Sequence, residues 1–304
     1  MKKQLLAIFI LMLILPSLAN AQRLRARWKA YRYEWSAGMG VSNFLGELGG
    51  ANQIGTDGFK DLEIKMTRPA FSVGLRYKLN PFLSLNSHLT YGTVAGDDAL
   101  TTEFFRNNRN LSFKSHIIEA NVNFEAALLS TREGGIYRLR GVKRNSSFEA
   151  SAYAFVGIGV FNFNPKTKVG DEWVRLQPLG TEGQGIAQSR DPYRLTQVCI
   201  PIGIGGRYFL NRRWGIGLEM GVRKTFTDYI DDVSKTYYDN QAILAKNGPQ
   251  AAALADPSFT ASAEGPEINV GQQRGDPRDN DAYMFAIFSV HYKIRTGRTN
   301  FPIF

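Results

Sequence analysis

Residues 71–79 read Phe-Ser-Val-Gly-Leu-Arg-Tyr-Lys-Leu and decide the fold class. Large apolar side chains occupy every second position, and small or charged side chains stand between them. Because successive side chains of a β-strand point to opposite faces, this alternation predicts a strand with a different environment on each face. Asn80-Pro81 follows, and the alternation resumes over residues 83–91. The two segments therefore predict antiparallel strands joined by a tight turn.

The same period of two recurs along the chain and predicts eight strands in total. The six further segments are residues 34–41, 118–128, 148–160, 197–208, 214–223 and 284–294. Several of them reach the roughly 9–11 residues that a tilted strand needs to cross a bilayer. The connections after Phe161 and Phe226 are long, whereas the one at Asn211 is short. Such a layout is typical of outer-membrane barrels, which have short periplasmic turns and long extracellular loops.

The two faces of these strands differ sharply in composition. One face carries almost only aliphatic residues, with aromatic residues such as Trp35 and Tyr292 at strand ends. The other face is polar, which would also suit a soluble β-sandwich; strand length and the aromatic ends favour lipid contact. We therefore expect an all-β protein in the cell outer membrane, with membrane lipid as a partner. Its predicted architecture is an eight-stranded antiparallel transmembrane β-barrel with long extracellular loops.

Charged residues of both signs occupy the face that would point into the barrel. The interior of an eight-stranded barrel is about the size that side chains fill, and a buried charge needs a partner. The sequence thus predicts a salt-bridged plug instead of a porin channel. Glu34, His88 and Lys293 also lie on this face. The predicted lumenal charge network consists of Arg76, Lys78, Glu119, Glu125, Glu149, Arg207, Glu219 and Arg223.

The N-terminal residues predict export from the cytoplasm. Lys2 and Lys3 precede an apolar stretch at residues 5–15, and Ala19-Asn20-Ala21 has the small-x-small pattern of a cleavage site. An uncleaved anchor is the alternative, but the apolar stretch is shorter than the roughly 20 residues that a span needs. The predicted divisions are a signal peptide at 1–21, a basic periplasmic arm at 22–33, the barrel at 34–294 and a periplasmic tail at 295–304.

The predicted arm is dense in cationic and aromatic residues. It could serve as a solvated linker, or as a contact surface for an acidic periplasmic protein or for lipid headgroups. The residues that we expect to bind a partner are Arg23, Arg25, Arg27, Trp28, Lys29 and Arg32.

Composition narrows the possible chemistry further. The chain has 37 Lys and Arg against 27 Asp and Glu, which alone would raise nucleic acid as a partner, but the export signal argues against it. One cysteine and three histidines exclude a disulfide framework and a Cys/His zinc cage built from this chain alone. The run Gly203-Ile204-Gly205-Gly206 lies within a predicted strand, which argues against a dinucleotide loop. We expect no nucleic-acid partner, no cofactor and no metal.

An enzyme is disfavoured but stays open as an alternative. The histidines His88, His116 and His291 fall on three different predicted strands, with no carboxylate beside them at a metal-ligand spacing. Acids of the predicted outer loops lack a serine or histidine at a definable spacing; they are Asp97, Asp98, Asp231 and Asp232. We therefore expect no catalytic residues.

Two segments at strand ends are specific in composition. Residues 43–52 read Asn-Phe-Leu-Gly-Glu-Leu-Gly-Gly-Ala-Asn, and residues 227–234 read Thr-Asp-Tyr-Ile-Asp-Asp-Val-Ser. Both resemble signature segments of the PorG-like outer-membrane barrels of Bacteroidetes, which are components of the type IX protein secretion machinery. The positions that carry the resemblance are Asn43, Leu45, Gly46, Glu47, Gly49, Asp228, Tyr229, Asp231 and Asp232.

This resemblance implies a non-enzymatic barrel that links periplasmic ring or lipoprotein components to the outer membrane. The chain departs from the simplest members of that family in its long segment 237–281, so no role for that segment is implied. Two other functions remain open. One is a transport or ligand-binding barrel that captures a small molecule in the lumen or with residues 161–194, and the other is a surface enzyme or adhesin acting through residues 226–281.

Overall fold

The computed structural model describes residues 31–46, 48, 66–100, 103–132 and 149–296. Within these ranges lie ten β-strands and four α-helices. The strands are β1 Tyr33–Leu45, β2 Arg68–Lys78, β3 Leu83–Asp97, β4 Ser112–Arg132, β5 Glu149–Asn162, β6 Pro165–Val169, β7 Glu172–Arg175, β8 Thr196–Phe209, β9 Trp214–Thr225 and β10 Ala282–Ile294. The helices are α1 Phe104–Arg109, α2 Asn240–Asn247, α3 Pro249–Ala255 and α4 Phe259–Glu264.

Several predicted features lie outside the described residues. They are the signal peptide at 1–21, most of the basic arm, residues 47 and 49–52 of the first signature segment and the tail from residue 297. The individual residues concerned are Arg23, Arg25, Arg27, Trp28, Lys29, Glu47 and Gly49.

Eight strands close into an antiparallel barrel, which confirms the predicted fold. Their order around the wall is β3-β2-β1-β10-β9-β8-β5-β4, and pairing between β3 and β4 completes the ring. The short strands β6 and β7 form a hairpin that continues the sheet from the end of β4, where Lys114 pairs with Lys166. Every backbone edge of the eight long strands therefore has a partner, as a structure surrounded by lipid requires.

The alternation that defines the strands separates lipid-facing from lumenal residues. Outward-facing apolar residues such as Ile158, 70% exposed, form a continuous surface that we call the apolar band. Its larger members are Trp35, Met39, Val73, Leu89, Ile118, Ile158, Ile204, Leu218 and Phe288. Trp214 and Tyr292 lie at one border with ring centroids 4.8 Å apart, as an interfacial aromatic girdle would be placed.

Asparagine side chains stabilise the two short turns at one end of the barrel, which we call the turn end. At the turn end, the side chain of Asn80 accepts hydrogen bonds from the backbone N–H of Phe82 and Leu83, both at 2.8 Å. Asn211 makes the equivalent bonds to Arg213 and Trp214, both at 2.9 Å. These side chains replace backbone partners in a tight turn, which explains the preference for Asn there. The third connection at this end, residues 133–148, is longer than the other two.

The opposite end, the loop end, departs from the predicted strand limits. The period of two predicts that β3 ends near residue 91 and that β4 begins near 118, whereas the strands extend to Asp97 and back to Ser112. Residues 92–96 are all buried, so the outward-facing Thr93 and Ala95 are covered as well as the inward-facing positions. Alternating polarity is lost where both faces are buried. Asp97 is therefore the last residue of β3, so its expected place in an outer loop is wrong, whereas Asp98 does lie in the connection that follows and is buried there.

Among the described residues, no helix is long and apolar enough to span a membrane. The four helices have at most eight residues each, and all lie in the connections at the loop end.

Candidate functional site

A network of buried charges fills the turn-end half of the lumen. Arg76 on β2 donates from Nε and Nη2 to the two carboxylate oxygens of Glu125 on β4, at 2.7 and 2.8 Å. Its remaining Nη1 donates to Glu34 on β1. All three side chains are at most 2% exposed. A guanidinium that bridges two carboxylates in this way satisfies the charges that the alternating pattern places inside the barrel.

Other strands complete this cluster. Arg207 on β8 places Nη1 3.5 Å from both Glu34 and Glu125, and its guanidinium lies 4.3 Å from the ring centroid of Tyr153. Asn86 on β3 donates to Glu125 at 2.6 Å. Two carboxylates thus face two guanidinium groups, so the charges of this part of the lumen are balanced.

Basic groups at the turn end flank the cluster. His291 Nδ1 lies 3.1 Å from Glu34, and Lys78 Nζ lies 3.9 Å from the same carboxylate. Lys293 donates to Glu149 at 2.8 Å and lies over the ring of Phe209. Ionic contacts therefore cross the lumen close to the turns.

A second ionic layer lies nearer the loop end. Arg223 on β9 lies 3.3 Å from the carboxylate of Glu119 on β4, and the hydroxyl of Tyr283 donates to the same carboxylate at 2.7 Å. Between the two layers, Tyr153 donates to Glu219 at 2.8 Å.

The structure brings together most of the predicted lumenal residues, in pairs that spacing alone did not define. Glu149 pairs with Lys293, and Glu219 bonds to a tyrosine hydroxyl instead of an arginine. Five further residues join the network although the predicted set left them out, and all lie at inward positions of their strands. Glu34 and Lys293 were already expected on the inward face, whereas Tyr283 was missed, and strand parity was the available signal for it. The five are Glu34, Tyr153, Tyr283, His291 and Lys293.

The packed network leaves very little space inside the described barrel. One lumenal cavity has a volume of about 20 Å³, room for a single water, and its lining includes Arg76, His88 and Arg223. His88, Glu125 and Glu219 place ligand atoms within 4.8 Å of one another, a grouping that sequence spacing did not predict because three strands contribute. Both carboxylates already accept hydrogen bonds from Arg76 or Tyr153. The trio is therefore part of the charge network.

Toward the loop end the lumen becomes apolar. Inward-facing aromatic residues pack there, with ring centroids 5.3 Å apart for Phe161 and Tyr283 and 5.6 Å for Phe161 and Phe163. We call this group the aromatic plug; its members are Phe44, Phe113, Phe161, Phe163, Tyr283 and Phe285. Tyr283 joins the plug to the charge network through its bond to Glu119. The lumen is thus filled in two parts. The predicted salt bridges fill the turn end, and aromatic side chains fill the loop end.

Three connections at the loop end fold over the plug and form a structure that we call the loop cap, residues 98–111, 163–195 and 226–281. Asp232 is at its centre: Tyr193 donates to Oδ1 at 2.6 Å and Thr181 to Oδ2 at 2.5 Å. Tyr193 also stacks on Tyr229, with ring centroids 4.7 Å apart. These bonds tie the second connection to the third.

Arg274 links the cap further. Its Nη1 donates to Glu182 at 3.0 Å and to the backbone oxygen of Asp232 at 2.7 Å. The carboxylate of Glu182 also accepts from the backbone N–H of Ser234 at 2.9 Å. The backbone oxygen of Arg274 accepts from Arg109 at 2.6 Å, and Arg109 in turn pairs with Asp98 at 2.7 Å. All three connections are therefore joined by buried polar contacts.

Helices α2 and α3 add an apolar contact to the cap. Ile243, Ala251, Ala252 and Ala255 are buried and pack against Leu179 of the second connection. The segment from Tyr237 to Asp281 is therefore an integral part of the cap.

The environment of Asp232 raises the pKa of its carboxyl to about 6, because the side chain is buried. Arg274 and the hydroxyls of Thr181 and Tyr193 act in the opposite direction and lower it. Burial and the adjacent carboxylate raise the pKa of Tyr193, which keeps its hydroxyl protonated as a donor. Asp232 has a backbone φ of 69°, a conformation that Asp tolerates better than most residues.

The two signature segments meet at the barrel mouth. Gly46 lies against the side chains of Asp281 and Phe44, in space that a Cβ would fill. Asp281 Oδ2 accepts from the backbone N–H of Ile230 at 2.8 Å. Of the other described positions, Leu45, Asp228 and Asp231 are buried. Asn43 is also buried and donates to Thr67 at 3.3 Å. The segments thus have a structural role in seating the third connection on β1.

Among the arm residues that we expect to bind a partner, one lies within the described part of the chain. Arg32 precedes β1 at the turn end and donates from Nη1 to the hydroxyl of Tyr77 at 3.1 Å. The first and last strands begin and end at this same end of the barrel, since Tyr33 pairs with Ile294.

The apolar band indicates the cellular location of the protein. Residues such as Met39, Ile158 and Ile204 expose more than half of their surface on the barrel wall, while charged residues are buried in the lumen. This is the inverse of a soluble protein and is the surface that a transmembrane barrel presents to lipid. The protein is located in the cell outer membrane, as predicted.

Comparison with known proteins gives a fold likeness and a family. No curated protein matches the sequence. Among solved structures, the N-terminal β-barrel domain of Pseudomonas aeruginosa OprF has 8% identity and a TM-score of 0.34, covering 87% of this chain and 98% of that one. Ail, the attachment invasion locus protein of Yersinia pestis, has 8% identity and a TM-score of 0.34, with 86% and 99% covered. Neisserial surface protein A has 9% identity and a TM-score of 0.34, with 86% and 96% covered.

The sequence profile of one family matches residues 8–246, most of the chain. Its description is "Domain of unknown function (DUF6089)". The chain belongs to this DUF6089 family.

Proposed function

We propose that this protein is a non-enzymatic outer-membrane barrel that anchors or positions periplasmic components of a type IX protein secretion machinery. The observation that supports an anchoring role best is the filled lumen. The charge network, the aromatic plug and the loop cap follow one another from the turn end to the loop end. A barrel without an open passage acts through its surfaces, and its two ends are the surfaces that water-soluble partners reach.

The turn end is the end proposed to contact the periplasmic partners. The basic arm leads into β1 at this end, and the tail leaves β10 there. Arg23, Arg25 and Arg27 give the arm a positive charge that suits an acidic partner surface. The two signature segments resemble those of PorG-like barrels. This resemblance supports the secretion machinery as the assembly to which the partners belong.

The rival function, transport or binding of a small molecule, has less support. Ligand sites in proteins commonly occupy about 300–1,000 Å³. The lumenal cavity between Arg76 and Arg223 holds about 20 Å³. Residues 161–194, the other candidate for ligand capture, are packed against the third connection of the loop cap through Leu179 and Tyr193.

Affinity purification from native membranes tests the anchoring proposal. We expect ring or lipoprotein components to co-purify with the full chain and to be lost from an arm variant, R23Q/R25Q/R27Q. The matched control R194Q/K224Q/R278Q removes three exposed cations from the loop-end half and should keep the partners. Recovery of the barrel alone, under conditions that preserve the secretion ring, contradicts the proposal.

A further inference from the structure

A face of clustered cations lies just beyond the loop-end border of the apolar band. Lys114 on β4 pairs directly with Lys166 on β6, and Lys166 pairs with Arg175 on β7. Lys168 pairs with Trp173 in the same hairpin. We call these five residues the basic patch.

Strand alternation places the basic patch on the outer surface of the barrel. Lys114 has the same parity on β4 as Ile118, which belongs to the apolar band. On the hairpin, Thr167 lies between Lys166 and Lys168 and faces the opposite way: it is buried, whereas Lys168 is exposed and Lys166 is half-buried. The cations therefore continue the lipid-facing wall past its apolar part.

The patch lies at the outer edge of the headgroup layer of a membrane. Ile118 pairs with Tyr91, an exposed aromatic at the border of the band, and Lys114 lies four positions further along β4. At roughly 3.3 Å per residue and a tilt of about 40°, this separation is about 10 Å along the membrane normal. The polar layer of a bilayer extends roughly 5–8 Å beyond the hydrocarbon on each side. The backbone of Lys114 therefore lies just outside this layer, at a distance that its long side chain can span. Trp173 is an aromatic of the kind found at that boundary.

The charges of the patch are poorly balanced by protein groups. Like charges directly opposite on neighbouring strands repel each other. Lys168 has an acidic neighbour, the exposed Asp171 at 3.6 Å, and Lys114 lies 5.2 Å from the Trp173 ring centroid. In the described ranges, Lys114, Lys166 and Arg175 form no ion pair with a carboxylate. An external anion at this position would relieve the repulsion.

We propose that the basic patch binds the phosphate groups of an anionic lipid in the leaflet at the loop end. Lys114, Lys166 and Arg175 supply the N–H donors for phosphate oxygens, and the acyl chains lie along the apolar band below Ile118. Phosphate suits this set because it accepts several charge-assisted hydrogen bonds at once. The site is independent of any secretion partner.

Native mass spectrometry of the full chain in detergent tests this site, with diphosphorylated lipid A as the probe. We expect the variant K114Q/K166Q/R175Q to bind the probe at least tenfold more weakly than the unaltered protein. The control R194Q/K224Q/R278Q removes the same number of charges elsewhere and should bind normally. Equal binding by the patch variant and the unaltered protein, or equal loss in the control, overturns the proposal.

Two further measurements keep the test decisive. The hairpin variant K166E/R175E leaves the eight-stranded wall unchanged and should also lose binding, with folding of each variant checked by heat-dependent gel mobility. Dephosphorylated lipid A should bind the unaltered protein at least tenfold more weakly than the diphosphorylated form. If millimolar inorganic phosphate displaces the lipid completely, the ligand is a free anion and the lipid assignment is wrong.

Discussion

At the scale of single residues, Arg76 and Asp232 have the most constrained environments. Arg76 spans the lumen between two buried carboxylates, and Asp232 joins two connections of the loop cap. One is a cation whose partners are 42 and 49 positions away in the sequence, and the other is an acid whose burial opposes ionisation. Their substitutions should therefore have different signatures.

Replacing Arg76 with Met should destabilise the barrel by about 3–5 kcal/mol, because buried Glu34 and Glu125 lose their nearest cation. Arg207→Met should cost less, since its nearest carboxylate oxygens are 3.5 Å away instead of 2.7 Å. Urea unfolding in detergent micelles, followed by tryptophan fluorescence, measures both. Arg213→Met at the exposed turn is the control. Equal stability of all three variants and the parent would mean that water, and not the ion pairs, solvates the lumenal charges.

The raised pKa of Asp232 predicts a loop cap that weakens as pH rises. The folded cap retains the proton up to about pH 6, whereas the ordinary carboxyl loses it near 3.8. The stabilising contribution of the protonated form is thus fully present below about pH 4 and is lost through pH 6, about 3 kcal/mol in total. Hydrogen exchange of residues 228–236, corrected for intrinsic rates, should show less protection at pH 7 than at pH 4.5. Asp232→Asn should remove this dependence; greater protection at pH 7 in the parent would contradict it.

At the scale of elements, the sequence is informative where the two faces of a strand differ. The alternation over residues 71–91 predicts β2, the turn and the lipid-level part of β3, because lipid and the charged lumen select different side chains. The apolar alternation stops at residues 92–96, which are buried on both faces, and at 112–117, where the outward positions Ser112, Lys114 and His116 are polar and only half-buried. The aromatic plug was missed for a similar reason, since Phe161 and Phe285 do not stand out among other apolar residues.

The loop cap could not be predicted from local pattern. Thr181 and Asp232 are 51 positions apart, and Glu182 and Arg274 are 92 apart. Acids in long connections are usually solvated, so nothing in the sequence marks these as buried. The inward charges were identifiable by parity, but their pairing depends on the shape of the closed barrel. Placing Glu34 beside Arg76 requires the register between β1 and β2.

Arg274→Gln should loosen the loop cap without opening the barrel wall. The change leaves Glu182 buried without its cation and removes a bond to the backbone of Asp232. Limited proteolysis should then cut residues 182–190 and 232–236 at least several-fold faster, while heat-dependent gel mobility stays that of a folded barrel. Arg278→Gln, at an exposed site in the same connection, is the control. Unchanged proteolysis would show that the apolar contacts of α2 and α3 suffice to hold the cap.

At the scale of the whole molecule, the filled lumen predicts that the protein does not conduct ions. The protein should form no stable channel in planar bilayers, and deletion of residues 240–265 should leave it silent, because the aromatic plug and the charge network remain. The same deletion should preserve protein export in cells if the barrel acts as an anchor. Discrete, long-lived conductance steps from the unaltered protein would contradict a sealed barrel.

The pairing of β1 with β10 has a consequence for biogenesis. Thirteen residue pairs join the first strand of the barrel to the last, so the barrel closes between strands that are far apart in the sequence. Until Ala282–Ile294 arrives, the hydrogen-bonding groups of β1 and β9 on that side lack their final neighbour. A chain truncated before this strand would therefore have two strand edges without hydrogen-bonding partners, which the hydrocarbon layer does not accommodate.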